Sequence, residues 1–286
     1  MIYLIASILS SAAIYVVFRL AKDYACKLNL LITLNYLVAS VLGFVVLLKF
    51  NFSLFLTNNH WLPYGVALGV LFILMFYIIR NSAQKAGIAV TTLANKLSLV
   101  FPVFFSLYFF DEQITVLKYA GLFSALTAVL LTVYKKDVKR TNWTYFALPL
   151  ALFVGSGITD SLIKYVQATQ ISVEQTTAYT TFVFFVAFIC GLIISLLKTT
   201  VKSNPLHAPS WFFGLLLGLV NFGSLYFFIN ALNKSNLESS LVFALNNMWI
   251  VALSALLGAF LFKEKLNKFN IAGIALALLS LYILLK

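Results

Sequence analysis

Lys96 is the charged residue whose position most strongly indicates a functional role. It lies in the middle of an apolar stretch that runs from Ala86 to Phe110. A lysine at the centre of a membrane-spanning helix costs about 2.5 to 3.5 kcal/mol to insert, so its presence calls for a reason. Helical spacing places Thr92, Asn95 and Lys96 on one face. A fixed cation beside amide and hydroxyl groups predicts a binding site for a carboxylate or phosphate. The alternative is a structural lysine that bridges helices.

Asp160 is the one acidic residue that lies well inside another apolar stretch. Lys164 follows one helical turn later, so the two side chains could neutralise each other as an i,i+4 pair. Alternatively, Asp160 pairs with Lys96 until substrate displaces it, or it takes up a proton during transport. We predict Asp160 as the coupling residue and leave these alternatives open.

The elements that must position these residues are long apolar segments. Hydrophobic residues make up 62% of the 286 and charged residues 10%, against about 25% charged in soluble domains. A helix of roughly 20 apolar residues crosses a bilayer, and such runs recur along the whole chain. They are apolar on every face, which favours helices over barrel strands. The ten predicted spans are 2–18, 30–48, 61–79, 86–110, 116–133, 145–166, 178–197, 211–231, 239–262 and 271–285. A count of nine or eleven is the alternative.

The chain resembles itself when it is shifted by 152 positions. The shift predicts two five-helix repeats, residues 1–134 and 144–286, joined by a basic loop at 135–143. Because five is odd, the second repeat enters the membrane from the opposite side, as in many secondary transporters. A Gly-xxx-Gly pair early in spans 3 and 8 predicts close helix packing. Aligned pairs include Phe76 with Phe228, Asn81 with Asn233, Asn95 with Asn247, Glu112 with Glu264 and Gly121 with Gly273.

The second repeat supplies further candidate binding residues. The span that matches the one with Lys96 carries Asn246, Asn247 and Trp249 but no charge, so the predicted site is asymmetric. Tyr226 in the eighth span is predicted to add to an apolar wall.

Charge distribution predicts the orientation and excludes other partners. Fourteen Lys and Arg residues lie in one alternating set of connections and five in the other. The positive-inside rule therefore places both termini outside. The net charge of +12 reflects this bias and not a nucleic-acid surface. His60, His207 and the two cysteines form no metal-ligand pattern, and no phosphate-binding loop or companion set of enzyme motifs is present. We expect no cofactor and no enzyme activity.

Two segments carry a family resemblance. The sequence from Leu99 to Ile114, LVFPVFFSLYFFDEQI, followed by 118–121, resembles the signature of the drug/metabolite transporter superfamily, EamA type, and 252–266 followed by 271–273 resembles it again. Asp111 and Lys263 stand where that signature has Gly, and Ser254 replaces a Pro. The resemblance implies a ten-helix basket with a cavity lined by spans 3, 4, 8 and 9, helped by 1 and 6. Many members keep both termini in the cytoplasm, opposite to the charge count, which we follow.

These features together predict an all-α membrane protein that acts as a secondary transporter in a bacterial inner membrane. The expected partners are the lipid bilayer and a small anionic or zwitterionic metabolite, such as an amino acid, moved by alternating access with a proton or counter-solute. Rival functions are a lipid-carrier flippase, a channel and an intramembrane transferase that uses Lys96 and Asp160.

Overall fold

A computed structural model describes residues 1–50, 59–85, 95, 98, 101–102, 105, 115–133, 144–198, 207–262 and 268–284. The regular secondary structure of these residues is α-helical, with no strand among them. The helices are α1 (Ile2–Asp23), α2 (Leu28–Phe50), α3 (Leu62–Lys85), α4 (Val116–Val133), α5 (Thr144–Thr169), α6 (Thr176–Lys198), α7 (Ala208–Lys234), α8 (Ser239–Phe262) and α9 (Lys268–Leu284). Each coincides with a predicted span. The fourth predicted span, 86–110, and the loop at 135–143 lie largely or wholly outside the described residues.

Within the described part of the chain, four helices contain stretches long and apolar enough to cross a membrane. A helix satisfies all of its backbone hydrogen bonds internally, so it can lie in hydrocarbon without exposing unpaired polar groups. The prediction of a polytopic membrane protein is confirmed at this level. The four stretches are Asn29–Val46, Leu62–Ile79, Thr176–Leu197 and Ala208–Lys234.

The chain forms two compact units, each of which combines segments from both halves of the sequence. Unit 1 contains Met1–Leu74 and Tyr165–Ser235. Unit 2 contains Met75–Lys164 and Asn236–Lys286. Helices α3 and α5 each contribute residues to both units.

Unit 1 is organised around α2 and α7. Helix α2 packs against both α6 and α7, and α1 packs along α7. The interior contains large buried aromatic side chains, among them Tyr36, Tyr179 and Phe184. Tyr36 and Phe184 have ring centroids 6.2 Å apart. Such contacts fill the interior without requiring charged groups.

Two glycine pairs make equivalent close contacts in unit 1. A Cβ on Gly218 of α7 would lie 2.6 Å from Val38 Cβ of α2. A Cβ on Gly69 of α3 would lie 2.7 Å from Val186 Cβ of α6. Helix α3 therefore meets α6 as closely as α7 meets α2. Gly65 and Gly214, one turn earlier, make the matching contacts with Phe182 and Leu34.

One end of unit 1 is held by Ser210 in the first turn of α7. The backbone N–H of Lys27 donates to Ser210 Oγ at 2.7 Å, and His207 Nδ1 lies 2.8 Å from the same oxygen. Burial raises the pKa of the neighbouring Cys26 thiol, and a hydrogen bond with Ser210 partly offsets that rise. The connection between α1 and α2 is thereby tied to the start of α7. Pro209 near the N-terminus of α7 lacks a backbone N–H where no helical partner exists for one.

Unit 2 is built on α4, α8 and α9. Helix α4 packs along α9, and α8 contacts both. Met248 of α8 is buried, and the hydroxyl of Ser280 in α9 lies 2.7 Å from its sulfur. The described part of unit 2 also includes α5 as far as Lys164, which carries the charged residues considered next.

Candidate functional site

Helix α5 carries two charged side chains, Asp160 and Lys164, within a predicted membrane span and within unit 2. Asp160 is partly buried, and Lys164 is only 4% exposed. The helix continues to Thr169, so Lys164 lies more than one turn before its end. A lysine buried at such a position calls for compensating interactions, because transfer of an ammonium from water to an apolar environment is unfavourable.

These two charges belong to a polar stripe on α5. Ser156, Thr159, Asp160 and Lys164 follow the i, i+3/i+4, i+8 spacing that places residues on one side of a helix. Ser156, Thr159 and Lys164 are buried. A second stripe, formed by Leu150, Val154 and Ile158, is exposed and apolar. Helix α5 thus turns its apolar side outward and its polar side inward, as expected for a helix that contacts lipid on one side only.

Phe101 packs against α5. Its ring centroid lies 5.0 Å from that of Phe153, and its side chain covers Gly157, where a Cβ would collide with it. Met75 of α3 covers Gly155 in the same way. Phe101 belongs to the predicted fourth span, so this position of that span lies beside α5.

Most of the candidate residues of the predicted fourth span lie outside the described residues. Lys96 and Thr92 are not among the described residues. Asn95 is helical and partly buried, and its backbone carbonyl accepts a hydrogen bond from the Ser98 hydroxyl. The predicted grouping of Thr92, Asn95 and Lys96 stays a prediction.

The candidates of α8 differ in their surroundings. Asn246 is buried. Asn247 Nδ2 donates to the carbonyl of Phe243, one turn earlier on the same helix, at 3.2 Å. Trp249 is 37% exposed. Of the three, Asn246 is the most enclosed within unit 2.

Tyr226 lies in unit 1, where it is part of an aromatic row. Its ring stacks on that of Phe222 at 5.4 Å with an interplanar angle of 13°. Phe222 in turn contacts Phe184 at 6.1 Å. One residue before Phe222, Asn221 Nδ2 donates to Asn35 Oδ1 at 3.1 Å, which joins α7 to α2. This pairing matches the common role of Asn as a link between membrane helices.

Sequence reasoning missed a polar chain that joins three helix ends in unit 1. Gln167 Nε2 donates to Asn233 Oδ1, and Asn233 Nδ2 donates to Thr176 Oγ1, both at 2.8 Å. Among the described residues, Gln167 Oε1 is buried without a hydrogen-bond partner. The internal alignment had already marked Asn233 through its match with Asn81. Nothing local in the sequence points to Gln167 or Thr176 as its partners.

In the described ranges, no group of three or more His, Cys, Asp or Glu residues could hold a metal ion. The buried polar groups described above include amides, hydroxyls and the ammonium group of Lys164. Such groups can bind and release a small polar solute through hydrogen bonds and charge pairing.

Comparison with known proteins identifies the group to which the chain belongs. A Haemophilus influenzae protein described as uncharacterized is 27% identical over 287 aligned positions, which cover 98% of this chain and 96% of the relative. A solved crystal structure, 15% identical in sequence, is similar over 99% of this chain and 94% of that chain with a TM-score of 0.79, which shows a shared fold. Residues 142–286, just over half of the chain, match the EamA-like transporter family. The chain is therefore a member of the EamA-like transporter family, and it is an integral membrane protein.

Proposed function

We propose that this protein is a secondary transporter of a small anionic or zwitterionic metabolite, such as an amino acid. The observation that carries the proposal is the match to the EamA-like transporter family over residues 142–286, in a chain built of apolar helices. The transporter works by alternating access, as an exporter or exchanger, so its substrate site is reached from one side of the membrane at a time. Family membership also favours transport over enzyme activity, and the proposal needs no cofactor.

We further propose that the chain forms ten membrane helices in two inverted five-helix repeats, residues 1–134 and 144–286. The glycine contacts of unit 1 support this arrangement. Gly65 and Gly69 belong to the first repeat and contact a helix of the second, whereas Gly214 and Gly218 belong to the second and contact a helix of the first. Reciprocal contacts of this kind are expected when two related halves pack around a pseudo-two-fold axis.

The proposed substrate site draws on both repeats. The first contributes Lys96 as the cation that pairs with the anionic group of the substrate. Asp160 is the coupling residue, which exchanges a proton or a charge partner during the cycle. In the matching span, we propose that Asn246, which is buried in unit 2, contributes an amide group to the site. The other proposed substrate-binding residues are Thr92, Asn95, Asn247, Trp249 and Tyr226.

The first experiment identifies a ligand and then measures transport. Purified protein is screened by thermal shift against amino acids and small organic acids, and each stabilising compound is tested in proteoliposomes loaded with the same unlabelled compound. We expect saturable uptake that is accelerated by internal substrate, because a carrier returns faster when loaded. Uptake that never saturates would instead indicate a channel. Absence of any stabilising or transported compound of these classes would contradict the proposal.

The second experiment tests the proposed membrane orientation. The sequence has fourteen Lys and Arg residues on one side and five on the other, of which one, Lys164, is buried within α5, and this bias predicts that both termini lie outside the inner membrane. A C-terminal alkaline phosphatase fusion should therefore be active and a C-terminal green fluorescent protein fusion dark. The reverse pattern would show that both termini are cytoplasmic, which leaves the transport proposal intact.

A further inference from the structure

The polar stripe of α5 has an uncharged counterpart in the same molecule. Helix α1 is the first helix of the first proposed repeat, and α5 is the first helix of the second. Helix α1 also buries a stripe with i, i+3, i+4, i+8 spacing, formed by Leu4, Ser7, Ile8 and Ala12. This stripe contains one hydroxyl group and no charge.

This difference indicates that a buried helix side in this protein does not require charges. Helix α1 buries a stripe of the same spacing with three aliphatic side chains and one hydroxyl group, which is the energetically cheaper solution in a membrane protein. Replacement of buried ion pairs by well-packed hydrophobic residues is often neutral or stabilising. The presence of Asp160 and Lys164 is therefore better explained by a function than by the needs of the fold.

We infer that Asp160 and Lys164 together form a binding site for a zwitterion, with Lys164 pairing with its anionic group and Asp160 with its cationic group. The i,i+4 spacing on α5 holds the two Cβ atoms about 5 to 6 Å apart. A simple anion would be repelled by Asp160 and a simple cation by Lys164, whereas a zwitterion satisfies both charges. Ser156 and Thr159 extend the same stripe with hydroxyl groups. Phe101, packed on Gly157 beside the stripe, provides an apolar surface.

This assignment rests on the proposed transport function but adds to it. It makes Lys164 a substrate-binding residue and gives Asp160 a ligand-binding role. The two charges then bind the substrate, and their mutual attraction offsets part of their desolvation cost when the site is empty.

Thiol labelling tests the site without a known substrate. Cys26 and Cys190 are first replaced by Ala, and Ser156→Cys is introduced as a reporter on the stripe. The probes are two methanethiosulfonate reagents of similar size, one with an anionic sulfonate and one with a cationic trimethylammonium. Their labelling rates are compared at one fixed pH. If the stripe is water-accessible and both charges act on solutes, both reagents should label the reporter.

The two charges should then bias the labelling in opposite directions. Asp160→Asn should raise the ratio of anionic to cationic labelling, and Lys164→Met should lower it, each by about tenfold, because a charge lining a confined site changes local ion concentration by that order. Lys164→Arg should keep the wild-type ratio. Ile8→Cys in α1, which is 8% exposed against 7% for Ser156, provides a control of equal burial that should label much more slowly.

The outcomes separate this inference from the transport proposal. If the Ser156→Cys reporter is not labelled, or if neither substitution changes the labelling ratio, the two charges form a structural pair that solutes do not reach. This conclusion would hold even if the protein transports a substrate. Labelling of Ile8→Cys as fast as the reporter would likewise overturn the assignment. Should Ser156→Cys fail to give monodisperse protein, Thr159→Cys provides the second reporter on the stripe.

Discussion

Helices α1 and α5 are the first helices of the two proposed repeats, and each buries a stripe of the same spacing, yet the two stripes differ in chemistry. The stripe of α1 consists of Leu4, Ser7, Ile8 and Ala12, whereas that of α5 consists of Ser156, Thr159, Asp160 and Lys164. The contrast shows that the stripe of α1 packs without a charge. Charges appear where the two halves have diverged, which is the pattern expected if one ancestral scaffold acquired an asymmetric site.

The predicted fourth and ninth spans also differ in charge, but here the charged residue lies in the first half of the sequence and the uncharged residue in the second. Lys96 in the first half aligns with Met248 in the second, which is buried and contacts Ser280. Both charges of α5 lie in unit 2. In unit 1 the charged residues of the helices lie near helix ends. The comparison thus assigns the charge-based chemistry to unit 2 and largely neutral packing to unit 1.

The largest expected effect comes from making α5 resemble α1. Replacing Ser156, Asp160 and Lys164 by Leu, Ile and Ala should abolish transport while the protein still folds. Its thermal unfolding midpoint should stay or rise, because two costly intramembrane charges are gone. Proteoliposome uptake and a thermal melt in detergent measure the two effects. Retained transport would mean that the divergence between the helices has no functional meaning.

The second-largest expected effect concerns the close glycine contacts, which are alike in the two halves. Gly69→Ala and Gly218→Ala should each lower the free energy of unfolding by about 1 to 3 kcal/mol, since an added methyl group must displace a packed helix. Gly191→Ala is the control, because its Cβ would meet Ile73 at an ordinary 3.4 Å. It should be neutral or slightly stabilising, as Ala favours helix over Gly. Strongly unequal effects of the first two substitutions would argue that the two contacts are not equivalent.

A smaller effect is expected at Lys96. Lys96→Met reproduces the residue at the aligned position of the second half, so it keeps the bulk of the side chain and removes the charge. Affinity for the identified substrate should fall at least tenfold, about 1.4 kcal/mol, because a charge-assisted hydrogen bond is lost. Lys234→Met, which removes an exposed lysine, provides the control. Unchanged affinity in a folded Lys96→Met protein would make Lys96 structural.

The sequence predicted those features that depend on local properties. Hydropathy located each described helix, and the Gly-xxx-Gly spacing marked positions of close approach, because both are encoded within one helix. The partner helices of those glycines, the link between Asn35 and Asn221, and the chain through Gln167 depend on tertiary packing and could not be read locally. Lys164 was placed near the end of a span predicted to stop at Val166. Since α5 continues to Thr169, the lysine lies deeper and is buried.

The smallest expected effect distinguishes two aligned asparagines at helix ends. Asn233 bonds with Gln167 and Thr176, whereas its counterpart Asn81 is exposed. Asn233→Ala should destabilise the protein by about 1 to 2 kcal/mol, because two partly buried polar partners lose a hydrogen bond. Asn81→Ala should change stability by less than about 0.5 kcal/mol, as is usual for exposed positions. Thermal or denaturant unfolding of the two variants side by side measures the difference. Equal effects would mean that the polar chain contributes nothing specific, and that the divergence of the halves is confined to the charged residues of unit 2.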